Sequence, residues 1–304
     1  MKYTHCIECG EKVSKNCKKG HCSKCYDRGG KVSEIKIDED FSYLIGFAQA
    51  DGSMSQGTRN RGKLQIQINY EDRNVIKSFG KIIPCKNTVC DIVKSNIKVN
   101  GRVYHNKKYS LLRVCNKGFR DFMEECGMPY GNKSKIVKPP LHVKNLSIED
   151  YLRGLYDADG SVGFTAQGFP FLSLTTQSEM IAAYVISYIS DVTGRPLKEM
   201  SRPKRDDVYN IMVSKENAVA MVKKLYYKDC LSINRKYKNA QKVKGWVRSD
   251  GSKRRDEIFK RWTKEEDKYA LSHTIEETMA KFKRSSSGVK MRKLRLTLKN
   301  RLWR

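Results

Sequence analysis

Leu44-Ile45-Gly46-Phe47-Ala48-Gln49-Ala50-Asp51-Gly52 returns, altered in detail, as Leu152-Arg153-Gly154-Leu155-Tyr156-Asp157-Ala158-Asp159-Gly160. The two copies start 108 residues apart, a domain-sized period rather than the roughly 20–50 residues of a solenoid repeat. A tyrosine precedes each copy (Tyr43, Tyr151) and a serine follows it (Ser53, Ser161). Gly46 and Ala50 stand four apart, as do Gly154 and Ala158, so each pair shares one helix face. Small residues on one face let two backbones approach closely. Each helix then ends at Asp-Gly, with the glycine expected to take a left-handed turn. Helices packed along these faces bring Asp51 and Asp159 out side by side at one end. Two such carboxylates repel unless a cation lies between them, and hard oxygen ligands suit Mg²⁺.

The doubled motif resembles the LAGLIDADG homing endonucleases in their single-chain, two-motif form, over roughly residues 40–240. The resemblance implies double-strand DNA cleavage with short 3′ overhangs at a long target, by in-line hydrolysis of phosphodiesters. It implies that Asp51 and Asp159 hold metal, with the backbone carbonyls of Ala50 and Ala158 as further ligands. The metals would activate water and stabilise the leaving oxygen. A basic residue near each site would steady the transition state. Lys236 is the candidate after the second repeat, and Lys133 or Lys135 after the first. Gln65 or Gln67 is a candidate to orient water. The first copy departs from the family pattern at Gln49, a position that caps or pads the helix; both final acids are present.

The 304 residues carry a formal charge of +28, with a pI of about 9.7. That excess argues for a polyanion partner, nucleic acid before membrane. No apolar run reaches the roughly 18 residues of a membrane span, and the opening Met1-Lys2-Tyr3-Thr4-His5-Cys6 has no secretory h-region. Ten cysteines without such a signal point to a reducing compartment and to metal rather than disulfides. The expected setting is the cytoplasm or nucleoid of a bacterial or phage-infected cell, or an organelle; abundant Lys and Asn hint at an AT-rich genome.

Residues 1–30 read as a zinc knuckle or ribbon. Cys6-x-x-Cys9 and Cys22-x-x-Cys25 are separated by twelve residues. Four thiolates at this spacing suit tetrahedral Zn²⁺, and so small a unit needs the metal to fold. Cys17, His5 and His21 are spare, and one can replace a ligand. The expected first repeat is 31–130, followed by a linker at 131–147 and a second repeat at 148–240. Lys63 to Tyr70 alternates strictly, with Leu64, Ile66 and Ile68 on one side and Lys63, Gln65, Gln67 and Asn69 on the other. That is a strand with one covered face, whose open side carries the groups that read base edges in a major groove. Val103 to Val114 reads as one basic strand. The second repeat opens with a helix from Ile148, capped by Ser147. Phe164, Phe171 to Thr176, and Val208 to Val213 suggest strands.

The inferred fold is α+β: two pseudo-symmetric αββαββα repeats forming an antiparallel saddle, in a monomer with internal pseudo-twofold symmetry. Arg59, Arg61, Lys63, Gln65, Gln67, Asn69, Lys107, Arg113, Ser173 and Thr175 are its expected DNA-binding residues. Residues 228–261 read as basic, with a tether proper at 241–261. Residues 262–304 read as three helices opened by Thr263-x-x-Glu266 and Thr274-x-x-Glu277 capping boxes. Trp262, Tyr269, Ile275, Met279 and Phe282 are the expected core. Trp262-Thr263-x-Glu265-Glu266-Asp267 resembles the opening of a Myb/SANT-like helix-turn-helix, although the later tryptophans are missing. Its third helix would carry Lys290, Arg292 and Arg295 into the major groove.

The reading that follows is a site-specific endonuclease on double-stranded DNA, encoded in an intron or a free-standing mobile element. The alternatives are an RNA maturase, with intron RNA as partner, and a non-cleaving regulator. Regulators tend to lose the motif acids, and this chain keeps both. Met1 and Arg304 provide no splice-junction nucleophile or terminal Asn, which argues against an intein.

Overall fold

The structure, a computed structural model, describes residues 35–57, 62–93, 97–99, 102–104, 108–194, 207–248 and 262–302, with Thr4, His5, Gly10, Lys12 and Val13. Cys6, Cys9, Cys17, His21, Cys22 and Cys25 lie outside the described residues, as do Arg59, Arg61 and Lys107. The chain divides into two compact units, Met1–Trp246 and Val247–Arg304.

The first unit is built on two buried helices. Helix α1, Glu39–Asp51, starts at Asp38, whose carboxylate accepts from the Phe41 N–H at 2.9 Å. Every residue from Phe41 to Gln49 is buried, so α1 has no solvent stripe and is a core helix. Its counterpart is the helix Ile148–Asp159, buried from Asp150 to Asp157. The two pack backbone to backbone. A Cβ on Gly46 would lie 2.0 Å from the Tyr151 carbonyl oxygen, and one on Gly154 would lie 2.2 Å from that of Tyr43.

The glycines that end these helices do not take the left-handed turn expected from sequence. Gly52 has φ −76° and Gly160 φ −106°, both extended. They run straight into strands, and glycine is required by proximity instead. A Cβ on Gly52 would lie 2.4 Å from the Ala48 oxygen, and one on Gly160 2.6 Å from that of Tyr156.

From α1 the chain enters β1 (Gly52–Ser55) and β2 (Lys63–Asn69), then α2 (Arg73–Ile82) and β3 (Asn87–Val93). The single strand expected over Val103–Val114 is two strands in different sheets. Arg102–Tyr104 (β5) pairs with β4 (Ile97–Val99) in a separate hairpin, while β6 (Lys108–Val114) lies between β2 and β3. The main sheet has the order β1-β2-β6-β3 and is antiparallel throughout. Leu64, Ile66 and Ile68 of β2 are buried against the motif helices, as the alternation requires. Helix α3 (Lys117–Glu125) closes the repeat; its cap Asn116 accepts from the Phe119 N–H, and Gly127 turns the chain away at φ +89°.

The helix Ile148–Asp159 is α4. It is followed by β7 (Gly160–Phe164), β8 (Pro170–Thr176), α5 (Glu179–Thr193), β9 (Tyr209–Ser214) and α6 (Glu216–Leu225). The second sheet has the order β7-β8-β9 among the described residues. Residues 234–244, read from sequence within a basic tether, form α7 (Asn234–Lys244). Lys236, Ala240 and Val243 of α7 are buried and the helix packs on β7 and α6. High charge hid it, because three inward positions suffice to dock so short a helix. The architecture is mixed α+β with antiparallel sheets.

The second unit has helices α8 (Lys264–Ser272), α9 (Ile275–Phe282) and α10 (Ser286–Leu302). Both capping boxes form, at Thr263/Glu266 and Thr274/Glu277. Its core is smaller than the aromatics suggest. Ala270, Thr278 and Val289 are fully buried, whereas Trp262, Tyr269, Ile275, Met279 and Phe282 are half-exposed. Charge ties compensate: Arg284 forks onto Glu266, and Arg292 forks onto Asp267 at 2.6 Å through each nitrogen. Among the described residues no helix is long and apolar enough to cross a membrane.

Candidate active site and nucleic-acid face

Helices α1 and α4 deliver Asp51 and Asp159 at their C-terminal ends. Helix C-termini carry partial negative charge, so two acids there are electrostatically costly without a cation. Both side chains reach solvent, yet the surrounding protein is dense enough to strip part of their hydration. That desolvation, with the charge of Asp159 next, pushes Asp51 from 3.8 to about 6. Lys236, Lys133 and Arg235 pull it back. Burial also raises Asp159, against Lys133 and Lys236.

One lysine closes each helix end. The Lys133 ammonium donates to the carbonyls of Gln49 and Ala50. That of Lys236 donates to Tyr156 at 2.9 Å, Asp157 at 2.5 Å and Gly160 at 2.8 Å. The Gln49, Ala50 and Asp157 carbonyls are among the last four of their helices, which helix geometry leaves without intrahelical partners, while the Tyr156 carbonyl also accepts from the Gly160 N–H. Burial lowers both lysine pKa values, and the nearby acids oppose the shift. Lys135, the alternative to Lys133, is exposed and pairs with Asp207 at 2.7 Å. Arg235 was legible from sequence only as one of many basic residues. It hydrogen-bonds Asp72 at 3.1 Å, and its charge acts on Asp51.

A cleft of about 320 Å³ opens beside Asp159, lined in part by Gln49, Ala50, Lys133, Thr175 and Gln177. Among the described residues no three His, Cys, Asp or Glu side chains gather as a metal cage. Two carboxylates with main-chain oxygens fit Mg²⁺, which keeps waters and takes one or two carboxylates plus substrate phosphate. The Ala50 carbonyl, an expected ligand, accepts from Lys133.

The open face of the main sheet carries Lys63, Gln65, Gln67 and Asn69, half-exposed or exposed. The register sets Ser53, Gln65, Arg113 and Thr88 in one row across all four strands. At the sheet's end Lys108 lies 3.5 Å and Arg73 4.1 Å from the Tyr70 ring centroid. Ser173 and Thr175 occupy the corresponding face of β8, where Ser173 pairs with Ser161 and Met212. Among the described residues that face presents Ser161, Ser173, Thr175, Asn210 and Met212, and Met212 is 53% exposed. On α10, Lys290 is exposed, while Arg292 is committed to Asp267 rather than presented to a groove. The side chain of Arg295 lies outside the described residues.

A family model described as a LAGLIDADG-like domain matches residues 148–226, from the start of α4 to the residue after α6. The chain thus carries a LAGLIDADG-like domain over its second motif copy. It is similar to the tRNA-splicing ligase RtcB of Pyrococcus abyssi (strain GE5 / Orsay) at 24% identity, over 71% of this chain and 24% of that protein. It spans about a quarter of that relative's length. The solved structure of the I-SmaMI LAGLIDADG homing endonuclease bound to cleaved DNA matches at 11% identity and TM-score 0.42, covering 68% of this chain and 88% of that one. The homing endonuclease I-WcaI bound to its DNA recognition sequence matches at 16% identity and TM-score 0.43, covering 67% and 87%.

Proposed function

We propose that the chain is a site-specific DNA endonuclease that makes metal-dependent double-strand breaks at a long, asymmetric target, encoded in an intron or a free-standing mobile element. The observation that carries this reading is the pair of motif acids, Asp51 and Asp159, emerging from two backbone-packed helices with a lysine bound at each helix end. The LAGLIDADG-like domain match over the second copy supports it.

Asp51 and Asp159, with main-chain oxygens of Ala50 and Ala158, would hold Mg²⁺; when bound, the metal polarises a scissile phosphate and supplies an activated water. Lys133 and Lys236 place fixed positive charge beside the two scissile phosphates. Lys63, Gln65, Gln67, Asn69 and Arg113 of the main sheet, with Ser173 and Thr175 of the second, set the DNA register and read base edges. A zinc knuckle at Cys6, Cys9, Cys22 and Cys25 and a helix-turn-helix at 262–304, reaching DNA through Lys290, extend the footprint.

Purified protein incubated with candidate intron-insertion duplexes, with and without Mg²⁺, tests the proposal. Cleavage of both strands only with metal is expected. Tight binding without cleavage points instead to a regulator, and splicing of a cognate intron RNA without DNA cleavage to a maturase.

A further inference from the structure

The sixth residues of the two motif copies, Gln49 and Asp157, are almost wholly enclosed, at 2% and 1% exposure. Their bonding follows one plan. Each accepts from the tyrosine that precedes the other copy: Tyr151 donates to Gln49 Oε1 at 2.6 Å, and Tyr43 to Asp157 Oδ2 at 2.8 Å. The remaining bonds leave the helix pair. Gln49 Nε2 donates to the carbonyls of Cys126 at 2.7 Å and Lys138 at 2.9 Å. Those residues bracket the segment that carries Lys133, and the Lys138 N–H closes its base on the Gly127 carbonyl at 3.0 Å. Asp157 accepts from Tyr226 at 2.7 Å and from the Ile233 N–H at 2.8 Å. Ile233 caps α7, which carries Lys236.

Main chain and side chain of each sixth residue grip the same segment. Lys133 returns its ammonium to the Gln49 carbonyl, and Lys236 returns its own to the Asp157 carbonyl. Partner chemistry explains why the copies differ. Gln49 faces two carbonyl oxygens, so it must donate, which a carboxylate cannot do. Asp157 faces three donors, two hydroxyls and an N–H, and a carboxylate accepts all three.

We propose that Gln49 and Asp157 are positioning residues, each serving one lysine: Gln49 sets Lys133 and Asp157 sets Lys236, so that each governs cleavage of one DNA strand. The strand assignment rests on the endonuclease reading; the bracing of each lysine does not.

Strand-resolved cleavage of an end-labelled duplex tests it. Gln49→Glu should slow one strand about tenfold or more, since displacement of a charged group by about 1 Å costs that much. The opposite strand should keep its rate. Asp157→Asn should reverse the pattern. Residues that merely stabilise the helix pair would slow both strands alike, and that result overturns the proposal.

Acetylation of the metal-free protein, read by mass spectrometry, gives a second readout. Gln49→Glu should raise the labelling rate of Lys133 alone, and Asp157→Asn that of Lys236 alone; equal change at both lysines, or none, refutes the bracing. Wild-type protein that cuts nothing defeats the endonuclease reading, and labelling still decides the bracing. Should either variant fail to fold, Gln49→Met, which removes both bonds to the Cys126 and Lys138 carbonyls, and Tyr226→Phe, which removes one of the three bonds to Asp157, add no charge and carry both measurements.

Discussion

Gly154→Ala should force the two motif helices apart. The new Cβ would lie 2.2 Å from the Tyr43 oxygen, 2.7 Å from the Phe47 nitrogen and 3.1 Å from the Gly46 carbonyl carbon. All three are backbone atoms, so no rotamer change relieves the overlap. The nearest is about 1.2 Å short of the 3.4 Å at which ordinary contact begins. Helix propensity alone favours alanine by about 1 kcal/mol. Against that, a gap of about 1 Å along a close-packed interface forfeits a quarter to a half of its dispersion contacts. A net loss of about 3 kcal/mol is expected, at the upper end of overpacking costs. For a unit this size that lowers the melting temperature by about 6 °C or more. Gly245→Ala is the control: its nearest neighbour atom is 3.7 Å away and its φ is −80°, so alanine fits and should be neutral or slightly stabilising. Differential scanning calorimetry of both variants decides the matter. A Gly154→Ala melt within about 1 °C of wild type would refute backbone-to-backbone packing of α1 on α4.

Three further outcomes follow from the charges and cysteines. In metal-free protein the folded state holds the Asp51 proton more tightly than the unfolded chain, since its pKa is about 6 rather than 3.8. Stability from this group is therefore full below about pH 4 and falls as pH rises to about 6. Asp51→Asn should remove that fall, by about 1 kcal/mol after allowance for solvent screening; parallel stability curves across this window would contradict it. Arg153, fully buried, donates to the carbonyls of Leu231 and Leu225 and pairs with Asp150. Arg153→Met strands these partners and should cost about 3–5 kcal/mol in urea unfolding, and a loss below about 1 kcal/mol would count against a structural ion pair. Metal analysis should find one Zn²⁺ per chain, lost on replacing Cys6, Cys9, Cys22 or Cys25 but kept in Cys17→Ser; zinc absent after metal-replete expression rejects the knuckle.

The helix pair was legible because its signal is local: small residues four apart and an Asp-Gly end are visible in nine residues. The open strand face was legible for the same reason, as Leu64, Ile66 and Ile68 alternate with Lys63, Gln65 and Gln67. Glycine's role at the helix ends was misread, because a close carbonyl from the preceding turn leaves no trace in sequence. Helix α7 was concealed by its lysines, and Arg235 by its place among so many other cations. Gln49 looked like a lapse from the repeat; only the carbonyls of Cys126 and Lys138, 77 and 89 residues away in the chain, give its donors a purpose. Arg292 reads from sequence as free to reach DNA, but it pairs with Asp267, 25 residues earlier, which its own helix does not show.

The most direct test of the endonuclease account is strand cleavage by Asp51→Asn and Asp159→Asn beside wild type. Asparagine keeps the shape and removes the charge that would hold Mg²⁺. Either change should abolish double-strand cleavage in Mg²⁺ while DNA affinity in Ca²⁺ stays within about threefold, since on this proposal affinity comes from phosphate and groove contacts on the sheets. Wild-type protein that binds its site tightly in Mg²⁺ yet never cuts, with both variants indistinguishable from it, would contradict the account and leave the motif acids as helix ends alone.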